Sequence, residues 1–164
     1  MKKQTKKVTK KHESGRSMIE MVGVLAVMGL ITAAAFVLIT SALRSQKLTR
    51  VNDDVSAIAA GIRLVHNTKE DFDKVTNNDL KLIGYYDVKT PYNDTTTTGV
   101  EDGKYHVAKN TNVNKFDISF GTGTGSNGTA ACSALATQLG GINGCTATCS
   151  STKVTVTCEK YANN

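Results

Sequence analysis

One carboxylate stands at the head of a long, largely apolar run. Glu20 precedes a stretch from Met21 to Leu43 with no charged side chain in it. An ionised acid in or against hydrocarbon costs about 3 kcal/mol on insertion scales, so such a group ordinarily has a partner and a task. Four cysteines, Cys132, Cys145, Cys149 and Cys158, crowd into the C-terminal stretch, and only Cys145 and Cys149 lie close together. That spacing does not make the two close pairs of a zinc ribbon or finger. An even number of cysteines in an exported segment implies disulfides, for which four cysteines allow three connectivities.

The other chemistry-bearing residues are dispersed. His12, His66 and His106 have no second ligand and no Ser or Cys partner at a recognisable spacing, so neither catalysis nor a small-molecule substrate is expected. Asp71, Asp73 and Asn77 start like a calcium loop, but the turn glycine is replaced by Thr76 and the closing glutamate by Leu82. No metal or other cofactor is expected. Gly123-Thr124-Gly125-Ser126-Asn127-Gly128 fits G-x-G-x-x-G between a candidate strand, Asp117 to Phe120, and a candidate short helix, Ala130 to Leu139. The parallel strand and the acid about 20 residues on that a dinucleotide fold requires are missing, so a flexible surface loop is the expectation. Asn93-Asp94-Thr95 and Asn127-Gly128-Thr129 match the glycosylation triplet, a frequent pattern in any Asn/Thr-rich chain.

The elements that must position Glu20 and the cysteines follow from periodicity. Apolar residues recur at Leu48, Val51, Val55, Ile58, Ile62 and Val65, steps of three and four, with Arg44, Lys47, Arg50, Asp53, Asp54 and Arg63 between them. No proline or glycine pair interrupts residues 18 to 66. The pattern predicts one helix of about 48 residues, about 70 Å long, apolar in its first half and amphipathic in its second. Gly23, Ala26, Gly29, Ala33 and Ala34 let helices approach closely along the first half. From residue 68 the composition turns to Asn, Thr, Asp and Gly, with apolar clusters at Leu80 to Tyr86, Tyr105 to Val107, Phe116 to Phe120 and Val154 to Val156. These predict strands and loops that cover the Leu48 to Val65 stripe, with Asn93 to Gly103 as loop. The fold class is α+β, a long N-terminal helix packed on a small antiparallel-sheet head.

Charge gives the orientation. Six lysines against the single Glu13 give the segment 1–15 a charge of +5, out of the chain's net +6, so the basic excess marks no nucleic-acid face. It holds the N-terminus in the cytoplasm and sends the cysteines across the membrane. A secretory signal cut near Thr40-Ser41-Ala42 has an apolar core of about 7 to 15 residues, shorter than this run. A plain single-pass anchor has the right length but leaves Gly15 and Glu20 unexplained.

Gly15, Arg16 and Glu20, with the lysine-rich leader before them and the apolar run after, resemble the processing and assembly signal of type IV pilins. The resemblance implies that a prepilin peptidase cuts between Gly15 and Arg16, methylates the new terminus on Arg16, and leaves Glu20 as the fifth residue. Glu20 then neutralises the α-amino group of a neighbouring subunit as helices bundle into a homopolymer. Five residues is just over one turn, about 6 Å of rise, so subunits staggered by that step can pair amine with acid. Family members usually carry Phe, Met or Leu after the cut and often a proline midway along the helix. Here Arg16 stands four residues before Glu20 on the same helix face, and the one proline is Pro91.

The order of elements around Ala131 to Ala136 and the last cysteine is similar to the C-terminal region of type IVB pilins. The expected disulfides are Cys132 with Cys158 and Cys145 with Cys149. Three parts are then expected: a cleaved leader 1–15, a helix 16–67 with 21–43 transmembrane, and a head 68–164. The implied partners are the peptidase, an assembly ATPase and platform, the bacterial inner membrane before assembly, and other subunits in a surface pilus afterwards. A type II secretion pseudopilin is the alternative within the assembly class. A monomeric membrane-anchored binding domain, with Glu20 merely tolerated, is the alternative outside it.

Overall fold

A computed structural model of the chain describes residues 18–67, 72–97, 99–100, 102–142 and 144–159. The elements are α1 (Met18–Val65), α2 (Asp79–Leu82), β1 (His106–Lys109), β2 (Lys115–Gly121), α3 (Gly125–Leu139), β3 (Cys145–Ser150) and β4 (Lys153–Glu159). The fold is α+β, as the sequence predicts. By compactness the chain divides after Ala42, just short of the end of the apolar run.

The described part of the first unit is the apolar half of α1. Its side chains are exposed throughout, with Leu30 at 74% and Leu38 at 71%. Length and composition suffice for a membrane span. Its threonines direct their hydroxyls inward along the helix: Thr32 donates to the Met28 carbonyl at 2.8 Å and Thr40 to that of Val37 at 2.9 Å. In lipid, where no water supplies a partner, such back-bonding removes the cost of a bare hydroxyl.

The second unit begins at Leu43 and is built on the other half of α1. Val51, Val55, Ile58, Ala59 and Ile62 are buried on one stripe, and Leu48 packs against the same core from its margin. α1 stops after a last i to i−4 bond from the His66 amide to the Ile62 carbonyl, 3.0 Å. Four antiparallel strands lie in the order β1-β2-β4-β3. Alternation in β2 and β4 turns Phe116, Ile118, Phe120, Val154, Val156 and Cys158 inward and leaves Thr, Ser and Asp between them. Those side chains join the α1 stripe, Phe72, Leu80, Tyr105 and the inner face of α3 (Cys132, Leu135, Leu139) in one core. Phe72 meets Phe116 edge-on with ring centroids 4.9 Å apart, and Tyr105 meets Phe120 likewise at 5.4 Å.

Two expectations change, and one strand arises where the sequence predicts no element. Leu80 to Tyr86 forms no strand: α2 and a turn through Gly84 occupy it, with only Leu80 fully buried. Residues 145–150, with no apolar run, form β3, because β4 supplies a partner for every residue of it. The glycine-rich segment is a turn and the first turn of α3 rather than a flexible loop, since the helix starts at Gly125 instead of Ala130.

Candidate functional site

Glu20 lies in the first turn of α1, where a carboxylate complements the helix dipole. Among the described residues no cation pairs with it. Gly15 and Arg16, the expected cleavage and methylation residues, lie outside the described residues. The described part of the site is therefore one carboxylate followed by an uncharged, exposed helical run, 21–43.

The disulfides pair differently from the expectation. Cys132 bonds Cys149 and Cys145 bonds Cys158. The reason is β3. Cys145 and Cys149 share a strand, where four residues at about 3.3 Å each set their Cα atoms about 13 Å apart, far beyond disulfide reach. The β3–β4 register sets Cys145 directly opposite Cys158 with Cα atoms 4.0 Å apart. Cys149, two pleats along on the same face, meets Cys132 of α3. One bridge thus closes the hairpin and the other staples α3 to the edge strand.

Arg63, near the end of α1, reaches the same corner. Its Nε donates to the Glu159 carbonyl at 2.9 Å and an Nη to the Gly144 carbonyl at 3.4 Å, with the Cys145 sulfur 3.6 Å away. Burial lowers its pKa from the ordinary arginine value. A residue that the sequence offers as a solvent-face charge is a clamp on two strand ends.

Asp94 is a second fixed point that the glycosylation triplet conceals. The residue is 5% exposed, and its carboxylate accepts hydrogen bonds from the Thr96 amide at 2.9 Å, the Thr96 hydroxyl at 2.6 Å and the Thr97 hydroxyl. Burial alone pushes its pKa up, but these bonds and one from the Gly123 amide outweigh it and hold the group at about 2. Gly121 is required here: a Cβ on it would run into the Asp94 carboxylate. Gly128 likewise passes against the Gly123 carbonyl, where a Cβ would overlap backbone, and its own carbonyl takes the Thr122 hydroxyl at 2.9 Å. Close backbone packing accounts for that glycine of the G-x-G-x-x-G match.

The two described histidines, His66 and His106, are held in hydrogen-bonded and packed positions. His66, 1% exposed, lies 3.3 Å by Nε2 from the Asp79 carboxylate and edge-on to Phe72. Asn77 accepts from the Val107 amide at 2.6 Å, so its NH2 donates to His106 Nδ1 at 2.9 Å, and His106 Nε2 donates to Asp102 at 2.7 Å. Asp73 pairs with Lys109 at 2.9 Å and Asn77 is committed to β1; Asp71 lies outside the described residues. Among the described residues no cluster of three His, Cys, Asp or Glu could hold a metal ion. His12 lies outside them.

No family model, curated protein or solved structure matches this chain.

Proposed function

We propose that the chain is a structural subunit of a type IV pilus, cut between Gly15 and Arg16, methylated on Arg16, and polymerised through α1. The observation that carries this function is Glu20, a lone carboxylate at the head of a wholly exposed apolar half-helix that runs on into the core of a disulfide-bonded head. Before assembly the residues 21–43 sit in the inner membrane, with the basic leader in the cytoplasm and the head across the bilayer. In the fibre the same side chains pack on those of neighbouring subunits, and Glu20 meets a neighbour's α-amine, which sets the step between subunits. Small residues at Gly23, Ala26, Gly29 and Ala33 permit the close approach. The head supplies a core of its own and two bridges near its end, which suit a durable exposed surface in an oxidising space. Peptidase, ATPase and platform act on this subunit from other chains.

The test is N-terminal mass spectrometry of the protein from envelope and sheared-surface fractions, together with Glu20→Ala. A mature chain starting at Arg16, and fibres lost at unchanged membrane level in the variant, support the proposal. A chain starting at Met1 or near Leu43, or fibres unaffected by the substitution, would end it.

A further inference from the structure

An open groove of about 390 Å³ lies where α1 leaves its apolar half. Arg44, Lys47 and Leu48 form one wall, Tyr92 an end, and Asn127 and Ala134 of α3 belong to the other wall. Arg44 and Lys47 have no carboxylate partner among the described residues, and the Lys47 ammonium lies 5.6 Å from the Tyr92 ring centroid. Two cations with no acid to neutralise them, on one side of a cavity, call for an anion.

Their place in the chain says which one. Arg44 follows Leu43, the last residue of the apolar run, and Lys47 lies less than one helical turn further. With residues 21–43 spanning a bilayer, both cations emerge at the depth of the lipid phosphates, where basic side chains are drawn to an anionic surface. Leu48 and Ala134 add apolar wall for glycerol and the first acyl carbons, Tyr92 is an amphipathic ring of the kind enriched at that depth, and Asn127 offers hydrogen bonds to a polar headgroup. We infer that this groove holds the headgroup phosphate of an anionic phospholipid, which seats the unassembled subunit at the outer membrane–water boundary. The inference rests on the membrane-spanning role proposed for residues 21–43.

The probe is the full chain in nanodiscs of phosphatidylcholine with a minority of phosphatidylglycerol, with retained lipids counted by native mass spectrometry. Phosphatidylglycerol is expected to be enriched over its bulk fraction. Arg44→Gln/Lys47→Gln should weaken the enrichment about 30-fold, two cations at about 1 kcal/mol each. Ala134→Trp, which fills the groove without changing charge, should abolish the enrichment as well. Lys74→Gln/Lys89→Gln, an equal loss of exposed charge elsewhere on the head, should leave it intact. Enrichment that survives Ala134→Trp would mean diffuse attraction and overturn the groove. Loss of lipid to inorganic phosphate would make it a free-anion site, and an Arg44-dependent dimer without lipid enrichment would give it to a second copy. An inserted chain with no lipid preference overturns this inference alone, whereas a chain washed off vesicles by carbonate overturns the membrane role with it.

Discussion

Two halves of one helix meet two different solvents. From Met21 to Ala42 α1 is uncharged on all sides and buries nothing; from Leu43 to Val65 it is amphipathic, and a single stripe from Val51 to Ile62 is buried. Backbone geometry is continuous across the change, so hydrogen bonding does not distinguish the halves. Side-chain distribution does. A helix apolar all round has no side to give to water and needs lipid or other helices, whereas a helix with one apolar stripe needs a single covering layer. The sheet and α3 are that layer for the second half only.

Charge insertion breaks the comparison most sharply. Val55→Asp buries an unpaired acid in the core and is expected to cost at least about 3 to 5 kcal/mol, enough to unfold the head. Leu30→Asp is expected to leave the head's thermal unfolding unchanged and instead to cost about 3 kcal/mol of membrane insertion. Circular dichroism melts of both variants and their carbonate-resistant membrane fractions check the pair. Equal effects on the head would mean that the halves are not separable.

The bridges come next, since they belong to one half's covering layer alone. Removing Cys132 and Cys149 together, or Cys145 and Cys158 together, is expected to destabilise the head by about 2 to 4 kcal/mol each, read in denaturant unfolding. Cleavage of the unreduced chain after Leu139 and Lys153 separates this pairing from the one expected from the sequence. With Cys132–Cys149 and Cys145–Cys158, the fragment 140–153 stays linked to both neighbours; a Cys145–Cys149 bridge would release it alone.

Asp94 gives a smaller, pH-resolved effect. Its folded pKa, about 2, lies below the ordinary value of 3.8, so its contribution is complete above about pH 4 and is lost as pH falls toward 2. The loss is expected to be about 2 kcal/mol or less, and Asp94→Asn should flatten that limb of the stability–pH curve. An unchanged acid limb in the variant would show that the threonine bonds are worth little. Tyr105→Phe sharpens the comparison at its finest grain. The hydroxyl donates to Asp54 of the amphipathic half at 2.9 Å, while burial, together with the Asp54 charge, raises its pKa. Losing that bond is expected to cost about 1 to 2 kcal/mol in the head and nothing in membrane insertion.

Much of the fold is legible because α1 obeys local rules. The steps of three and four from Leu48 to Val65 and the unbroken run before them predict a helix of 48 residues, and α1 has 48. The β2 and β4 clusters alternate cleanly and are found as strands. β3 is invisible: Cys-Thr-Ala-Thr-Cys-Ser has little apolar content, and an edge strand owes its existence to its neighbour. Without a strand at 145–150, nothing local keeps Cys145 from pairing with Cys149. Leu80 to Tyr86 fails in the other sense, because an apolar cluster of that length does not say whether it extends or turns.

Of the candidate site, Glu20 and its apolar run are visible in the amino-acid order alone, since a charge beside hydrocarbon needs no tertiary context to stand out. The same holds for the helix, its division near residue 43 and the α+β class, all set by patterns spanning neighbouring turns. Tertiary structure alone decided which cysteines meet, that Arg63 clamps two strand ends, that Asp94 is buried under threonine hydroxyls, and that Arg44 and Lys47 face a cavity. Those facts depend on residues far apart in the chain being brought within a few ångströms. Such proximity is set by which strand pairs with which, and no local pattern encodes it.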